Sequence, residues 1–261
     1  MRAVTSRQHP FVQQCRQLAA GRGDAGAVLL DGPHLIEDAV AASIDIVGVL
    51  IDDRGTSLLP LLRSRGIPVH ETSRQVLEAA APVRTASGVV AIARWAPAPA
   101  SELLALPHPT LVGLVGVQDP GNVGNIIRSA EALGASGVIA LDGTAAPAGW
   151  KALRGAMGAT FRLPVGIGAL DDVLTAARER GIRLAATVPA GGVPPDARSL
   201  AAPILVLIGS EGAGLPAHIV TACDVHVTLP MRPSANSLNA ATSAAIVLWE
   251  LTRQARADWH R

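Results

Sequence analysis

The sequence predicts an α/β protein with two domains, and three observations support this prediction. Short runs of branched apolar residues, typical of buried strands, alternate along the chain with segments whose apolar residues recur at the helical period. One run, ILVLI at 204–208, suits a strand buried on both faces. A stretch rich in proline and alanine at 95–109 interrupts the alternation, as a linker would. We therefore expect a first domain at 1–95, a linker at 96–108 and a second domain at 109–261.

Composition excludes several classes of protein. Hydrophobic residues make up 49% of the 261 residues, but no apolar run approaches the roughly 20 residues that a membrane-spanning helix needs. The N-terminal sequence MRAVTSRQHPF lacks the apolar core of a signal peptide, so we expect a cytoplasmic protein. Two cysteines, Cys15 and Cys223, are too few for a disulfide framework or a zinc site, and we expect no metal.

Turn signals separate the elements of the expected first domain. The segment 5–20 indicates a short amphipathic helix after a turn at His9-Pro10, Gly32-Pro33 leads into the second helix, and the DDRG sequence at 52–55 follows a strand. Helices are expected at 5–20, 34–42, 58–64 and 73–80, and strands at 27–30, 46–51, 67–69 and 88–93.

The second domain continues the alternation. Asn122 is a candidate cap for a helix whose apolar residues face inward up to Gly134, and Asn239 stands where the last helix begins. Helices are expected at 122–133, 150–158, 171–180 and 239–253, and extended segments at 111–117, 138–141, 161–165, 184–188, 204–208 and 225–229.

Two loops of the second domain form the candidate ligand site. The first follows the strand at 204–208, begins at Gly209 and carries Glu211. The second follows the run at 225–229 and supplies Met231 together with short polar residues, namely Ser234, Asn236, Ser237 and Asn239. Loops at the carboxyl ends of strands are where open α/β sheets bind ligands. Either loop alone is compatible with simple turns; the two together favour a site.

Other nucleotide and hydrolase motifs fit poorly. Gly121-x-x-Gly124, with Asp142 about twenty residues further on, lacks the G-x-G-x-x-G spacing of dinucleotide-binding folds. The chain has no G-K-[ST] sequence, which excludes a P-loop. The G-S-E-G sequence starting at Gly209 is not the G-x-S-x-G of a nucleophile elbow.

Three blocks of residues together resemble the motifs of the SpoU (TrmH-like) RNA 2′-O-ribose methyltransferases of the SPOUT superfamily. The blocks are Asn122-x-Gly124-x-x-x-Arg128-x-Ala130, Gly209-x-Glu211-Gly212-x-Gly214, and Leu229-Pro230-Met231 followed by Ser237-Leu238-Asn239. The resemblance covers 109–253, and the first ninety-odd residues look like the small substrate-binding domain of many members. Pro233 departs from the glycine that many members carry there.

The resemblance implies a C-terminal α/β domain with a trefoil knot, preceded by a small α/β substrate-binding domain. It also implies S-adenosylmethionine as cofactor, a homodimer, and methylation of a ribose 2′-hydroxyl in RNA, with ribosomal RNA favoured over transfer RNA. The implied catalytic residues are Arg128, Asn122 and Glu211. The implied cofactor-binding residues are Gly209, Leu229, Met231, Ser237, Leu238 and Asn239.

Basic residues outside the motifs are candidate RNA contacts. The net charge is only +1, but 1–22 and 150–162 contain no acidic residue. From these segments we select Arg7, Arg16, Lys151 and Arg154 as RNA-binding candidates, because arginine in particular suits phosphate recognition.

Arg128 carries the expected mechanism. A guanidinium is a poor general base because its neutral form is scarce, so stabilisation of alkoxide charge and contact with a phosphate suit Arg128 better. We expect Asn122 to orient it and Glu211 to pair with it. An RNA-binding protein that kept the fold without activity is the alternative, and Pro233 is the feature that favours it.

Overall fold

A computed structural model describes residues 2–196, 200–232 and 237–253. Within these ranges, none of the helices combines the length and hydropathy that crossing a membrane requires. The strands are β1 Arg2–Val4, β2 Ala27–Asp31, β3 Asp45–Ile51, β4 Val69–Thr72, β5 Val89–Arg94, β6 Ala98–Pro99, β7 Thr110–Leu114, β8 Gly137–Ala140, β9 Val165–Ile167, β10 Arg183–Thr187, β11 Ile204–Ile208 and β12 Val225–Val227.

The helices are α1 Pro10–Ala19, α2 Pro33–Ala41, α3 Leu59–Ser64, α4 Arg74–Ala80, α5 Ala100–Leu104, α6 Pro120–Leu133, α7 Trp150–Ala156, α8 Leu170–Glu179, α9 Ala217–Ala222 and α10 Ala240–Leu251, with 3₁₀ helices at Asp53–Leu58 and Ala159–Phe161. The chain divides into two compact units. The first comprises 1–96 and 148–161, and the second comprises 97–147 and 162–261.

The first unit is built on a mixed sheet with strand order β1-β4-β3-β5-β2. Strand β5 runs antiparallel to both β2 and β3, whereas β1, β4 and β3 are parallel. Residues of β2 alternate between two apolar layers: Val28 and Leu30 pack in one, and Leu29 packs in the other. This alternation is what a strand between two apolar layers requires.

Helix α7 belongs to the first unit, although the sequence pattern placed it in the second domain. Leu153 is fully buried in the same apolar cluster as Val28 and Leu30 of β2. Trp150 donates its indole N–H to the carbonyl oxygen of Ala19 at 3.1 Å. Because β2 is the last strand of its sheet, α7 covers an edge that would otherwise be open to pairing.

The second unit is built on a parallel sheet with strand order β12-β10-β11-β7-β8-β9-β6. Every strand therefore ends at the same edge, and the loops after β12, β10, β11 and β7 follow one another along it. Helix α6 follows β7 and packs against α10, the last described helix. Ile126 and Ile127 of α6 and Ala244 and Val247 of α10 are buried. The starts of the two helices are joined by a hydrogen bond from Asn239 to Asn122.

The proline- and alanine-rich segment is folded, unlike the linker that its composition indicated. It forms β6 and α5, whose Ala100, Leu103 and Leu104 are buried in the core of the second unit. These positions have the i, i+3, i+4 spacing of an inward-facing helical stripe. The apolar stripe outweighs the flanking prolines, so the chain enters the second unit at Pro97 and not at 109.

Several local predictions are confirmed and others are corrected. Strand β11 has the predicted bounds, and Asn239 caps α10 as expected. The predicted cap Asn122 lies inside α6, because Asp119 accepts hydrogen bonds from the amides of Gly121 and Asn122. Strand β4 begins at Val69, two residues later than predicted. The sequence pattern did not indicate α9 or β1, whose lengths of 6 and 3 residues are too short to show a clear period.

Candidate functional site

A pocket of about 730 Å³ lies in the second unit, at the carboxyl ends of three neighbouring strands. It is lined by Thr187 to Pro189 after β10, Ile208 to Leu215 at the end of β11, and Val227, Leu229 and Met231 around the end of β12. Helices α9 and α10 and the residues before α10 complete the wall with Ala217, Val220, Thr221, Ser237, Leu238, Ala240 and Ser243.

Five of the six predicted cofactor-binding residues line this pocket. They are Gly209, Leu229, Met231, Ser237 and Leu238. Asn239 is not part of the lining, but its neighbours Leu238 and Ala240 are. The loop after β10 was not predicted, because adjacency of β10 to β11 and β12 depends on pairing between distant segments. Pro233, Ser234 and Asn236 lie outside the residues that the structure describes.

The loop after β11 is a tight turn that depends on glycine. The amide of Gly214 donates to the carbonyl oxygen of Ser210 at 3.0 Å, and the same two residues form an isolated bridge. A Cβ on Gly209 would lie 2.3 Å from the carbonyl carbon of Gly214, which is too close for any side chain. Gly214 itself has φ +67°, a conformation that favours glycine. The pocket wall is therefore set by backbone that only glycine permits.

One hydrogen-bonded network joins the three sequence blocks. Asn122, at the start of α6, donates from its side-chain amide to a carboxylate oxygen of Glu211. Asn239 donates to the side-chain oxygen of Asn122 at 3.0 Å. The side-chain oxygen of Asn239 in turn accepts from the amides of Ala241 and Thr242 at 2.9 and 3.3 Å. The partners are 89 and 117 residues apart in sequence and meet because α6, α10 and the β11 loop share one sheet edge.

The network fixes the orientation of both asparagine side chains. Backbone N–H groups can only donate, so Asn239 must turn its oxygen towards α10 and its NH₂ towards Asn122. Asn122 then presents its oxygen to Asn239 and its NH₂ to Glu211, which accepts as a carboxylate. Asn122 is only 9% exposed, so an unmet hydrogen bond there would be costly.

Arg128 stands apart from this network. It lies six residues after Asn122 on α6 and is exposed, whereas Asn122, Ile126 and Ile127 are buried. Within the described part of the chain it makes no hydrogen bond or ion pair, so the expected pairing with Glu211 is absent and Glu211 binds Asn122 instead. The geometry follows from the helical period, because six residues rotate a side chain by about 240°. Arg128 thus offers an unengaged guanidinium on the solvent face of α6.

The four predicted RNA contacts all lie in the first unit. Arg7 and Arg16 are exposed. The ammonium group of Lys151 stands 5.6 Å from the centre of the Trp150 ring, within the range of a cation–π contact. Arg154 pairs with Asp31 at 3.1 Å. All of the acid-free segment 1–22 and residues 150–161 of the other therefore belong to one compact unit, which their separation in sequence did not indicate.

The described residues offer neither a reactive cysteine nor a metal site. Burial raises the pKa of the Cys15 thiol to about 12, and burial with the nearby Asp224 raises that of Cys223 to about 11. Neither thiol is therefore a ready nucleophile at neutral pH. Among the described residues, no cluster of three or more histidine, cysteine or acidic side chains suits a metal ion.

Comparison with known proteins finds a matching family model and relatives that cover most of the chain. The model of the SpoU rRNA Methylase family matches residues 109–249. The 23S rRNA (guanosine(2553)-2′-O)-methyltransferase RlmP of Bacillus subtilis is 29% identical over 257 residues, which cover 96% of this chain and 99% of that protein. The uncharacterized tRNA/rRNA methyltransferase slr1673 of Synechocystis sp. is 32% identical over 265 residues, covering 97% of this chain and 94% of its own length.

Solved structures give the same result for the fold. The AdoMet-bound rRNA methyltransferase of Sinorhizobium meliloti superposes with a TM-score of 0.86 at 29% identity, covering 97% of this chain and 98% of its own. The SpoU methyltransferase AviRb of Streptomyces viridochromogenes, in complex with AdoMet, has a TM-score of 0.84 at 29% identity, covering 95% of this chain and 100% of its own. Both matches extend over both compact units.

Proposed function

The chain belongs to the SpoU rRNA methylase family, and from this premise we propose that it transfers a methyl group from S-adenosylmethionine to a ribose 2′-hydroxyl of RNA. The observation that carries the proposal is the network Asn239–Asn122–Glu211, which ties all three family blocks to the wall of one pocket. Ribosomal RNA is the favoured substrate over transfer RNA, since the relative RlmP is named for a position in 23S rRNA.

The pocket fits S-adenosylmethionine. Its volume of about 730 Å³ lies within the range of small-molecule sites, roughly 300–1,000 Å³. Leu229, Met231 and Leu238 supply apolar side chains for the adenine ring, and the backbone of the loop at 209–214 supplies amides and carbonyls for polar groups. These residues would hold the cofactor, and when bound it supplies the electrophilic methyl group.

Arg128 acts on the RNA in this proposal. Its guanidinium is exposed and carries five N–H donors, so it can bind the developing ribose alkoxide and a neighbouring phosphate together. Asn122 and Glu211 serve a different purpose, because they hold the loop after β11 against the start of α6. Methyl transfer requires the methyl group and the ribose oxygen to be aligned, and a fixed pocket wall contributes to that alignment.

Binding of S-adenosylmethionine to the purified full chain is the direct test. Calorimetry is expected to show one site per chain, and mapping of 2′-O-methyl groups in RNA from cells with and without the protein is expected to show one or a few positions that depend on it. Binding of RNA without any binding of S-adenosylmethionine would favour the inactive RNA-binding alternative.

Asn239 provides a test of the network. Asn239→Ala removes both the cap of α10 and the hydrogen bond to Asn122, so we expect weaker cofactor binding and a loss of about 1 kcal/mol in the free energy of unfolding. Asn239→Ser is the matched control, because serine caps a helix but is too short to reach Asn122. The serine variant should regain stability without regaining cofactor affinity. Full affinity in both variants would remove the network from the site.

A homodimer and a trefoil knot complete the proposal. Helix α10 buries Ala244, Val247 and Leu248 within its own unit, yet leaves Ile246 40% and Trp249 52% exposed three residues apart. A helix with an apolar group on a second side is suited to cover by a partner subunit. The knot is supported by the path of the chain, which leaves the sheet at its edge strand β12 and returns to α6 through α10.

The dimer can be tested at this surface. Ile246→Glu is expected to convert the dimer to a monomer at micromolar concentration in multi-angle light scattering, because the carboxylate would be buried without a partner. Val47→Glu, which places the same charge at an exposed apolar residue of the first unit, is the control and should remain dimeric. A wild-type chain that is monomeric and fully active would contradict the assignment.

The first compact unit selects the RNA in this proposal. It contains Arg7, Arg16, Lys151 and Arg154, whereas the pocket lies wholly in the second unit. Affinity that depends on phosphate contacts falls steeply with salt. RNA binding by the full chain should therefore weaken sharply between low and physiological salt, while S-adenosylmethionine binding changes little.

A further inference from the structure

Two arginines of the first unit are each held by an aspartate buried beneath them. Arg154 donates to Asp31 at 3.1 Å; the arginine side chain is 54% exposed and that of the aspartate 4%. Arg54 donates through Nε to both oxygens of Asp52, at 3.2 and 3.0 Å. The side chain of Arg54 is 29% exposed and that of Asp52 is 1% exposed. In both pairs the carboxylate is inside and the guanidinium faces solvent.

Both pairs lie at the carboxyl ends of the parallel strands β2 and β3. Asp31 ends β2 and pairs with Val90 of β5, and Leu50 of β3 pairs with the same Val90 from the other side. Asp52 follows β3 directly. Asp31 is therefore level with Leu50, and Asp52 lies two residues further along the direction of β3. Two strand spacings and this offset of two residues put the aspartates roughly 12 Å apart. Arginines at this separation can each contact a phosphate of one RNA strand.

The turn between the two pairs is closely packed. Gly88, which precedes β5, has φ +91°, and a Cβ there would lie 2.8 Å from the Cβ of Arg54 and 2.9 Å from a carboxylate oxygen of Asp52. The backbone of Asp52 also donates to the carbonyl oxygen of Gly88 at 3.0 Å. Arg54 is thus fixed at its base by backbone as well as by its aspartate.

Folding stability does not explain the pair of Asp31 and Arg154. One carboxylate oxygen of Asp31 is buried with no hydrogen-bond partner in the described part of the chain. Burial raises the pKa of Asp31, and the nearby Arg154 lowers it by less. A carboxyl group whose pKa is raised on folding favours the folded state at low pH and loses that contribution as the pH rises through its folded pKa. The carboxyl group of Asp31 therefore contributes least to the stability of the fold at pH values above its folded pKa.

We propose that Arg54 and Arg154 form a two-arginine phosphate clamp for one strand of the substrate RNA, with Asp31 and Asp52 as positioning residues. This inference rests on the proposed function as an RNA methyltransferase. A guanidinium has five N–H donors, and the two aspartates use only some of them, so donors remain for a phosphate. Holding the guanidinium in place before binding lowers the entropy that the arginine loses when the RNA arrives.

Asp31→Asn separates positioning from simple charge. Removing a negative charge near an RNA-binding surface should strengthen RNA binding if only net charge matters. Positioning predicts the opposite, because Arg154 keeps its charge but its hydrogen bond to residue 31 is no longer strengthened by a carboxylate. Filter binding of the full chain to protein-free ribosomal RNA measures the effect. We expect Asp31→Asn and Asp52→Asn each to raise the dissociation constant by about tenfold, which corresponds to the contribution of one hydrogen bond to a charged group.

The arginine variants and their control complete the experiment. Arg54→Ala and Arg154→Ala should raise the dissociation constant by at least as much and reduce the log–log salt slope by about 0.7–0.9 each. Arg94→Ala is the control. Arg94 pairs with the exposed Asp45 at 3.8 Å, and this pair lies at the opposite end of β3. Where Arg154→Ala fails to fold, the double variant Asp31→Asn with Arg154→Gln replaces it and should show the same loss.

The possible results distinguish this inference from the proposed function. Every variant should bind S-adenosylmethionine as the wild type does, because the pocket lies in the other unit. RNA binding by folded Asp31→Asn that equals or exceeds that of the wild type overturns the clamp and leaves the methyltransferase assignment intact. A wild-type chain that binds no S-adenosylmethionine overturns the proposed function, whatever the variants do with RNA.

Discussion

Arg128→Ala is expected to reduce methylation by at least 100- to 1,000-fold, the usual effect of removing one group that stabilises transition-state charge. The fold should survive, because Arg128 is exposed and the buried stripe of α6 consists of its apolar neighbours Ile126, Ile127 and Ala130. Substitutions at exposed sites usually change stability by no more than about 0.5 kcal/mol. S-adenosylmethionine binding should also survive, since Arg128 does not line the pocket.

Arg128→Lys shows how the arginine acts. Lysine keeps the positive charge but loses the planar fork that binds two acceptors at once. We expect the lysine variant to be nearly as inactive as the alanine variant, because a ribose oxygen and its neighbouring phosphate present two acceptors. Single-turnover methylation of RNA measures this, with Arg180→Ala, at the end of α8, as a control for loss of an exposed arginine. Wild-type turnover in Arg128→Ala would remove this residue from the mechanism.

Gly209→Ala is expected to abolish detectable binding of S-adenosylmethionine. The added methyl group would lie 2.3 Å from the carbonyl carbon of Gly214 and 2.5 Å from the amide nitrogen of Leu215, so the loop after β11 would have to open. That loop forms much of the pocket wall and carries Glu211. Opening it therefore alters the pocket and pulls Glu211 away from Asn122.

Gly212→Ala is the matched control for this prediction. It removes one glycine from the same loop, but its Cβ would meet no protein atom within 4 Å. The control variant should keep the thermal unfolding profile of the wild type and keep the bond between Glu211 and Asn122. Calorimetric titration and a melting curve of each variant measure the contrast. Equal cofactor affinity for Gly209→Ala and the wild type would mean that the pocket is not the cofactor site.

Local chemistry was sufficient to predict the elements with strong patterns. Strand β11 has the predicted bounds because five branched apolar residues are followed at once by Gly209. Asn239 was predicted as a cap and is one, since an asparagine before an apolar helix favours that position. Both features depend on interactions within a few residues, which the sequence displays directly.

Contacts between distant segments decided the features that the sequence did not predict. Asn122 was predicted as a cap, but its side chain is committed to Glu211 and Asn239, 89 and 117 residues away. Asp119, three residues earlier, caps α6 in its place. The segment at 95–109 looked like a linker because it is rich in proline and alanine, yet its apolar stripe is buried against other parts of the second unit. No periodicity within a segment reports which distant surface will cover it.

The placement of α7 bears on how the chain matures on the ribosome. The first unit is interrupted after Ala96 and completed only by 148–161, so the edge strand β2 lacks its cover until some 65 further residues have been made. At synthesis rates of roughly 5–20 residues per second, the exposed edge persists for about 3–13 s. An uncovered edge strand is a template for pairing with another chain. Nascent chains are therefore most prone to aggregate in this interval, and pauses in translation between 97 and 147 should lower the yield of soluble protein.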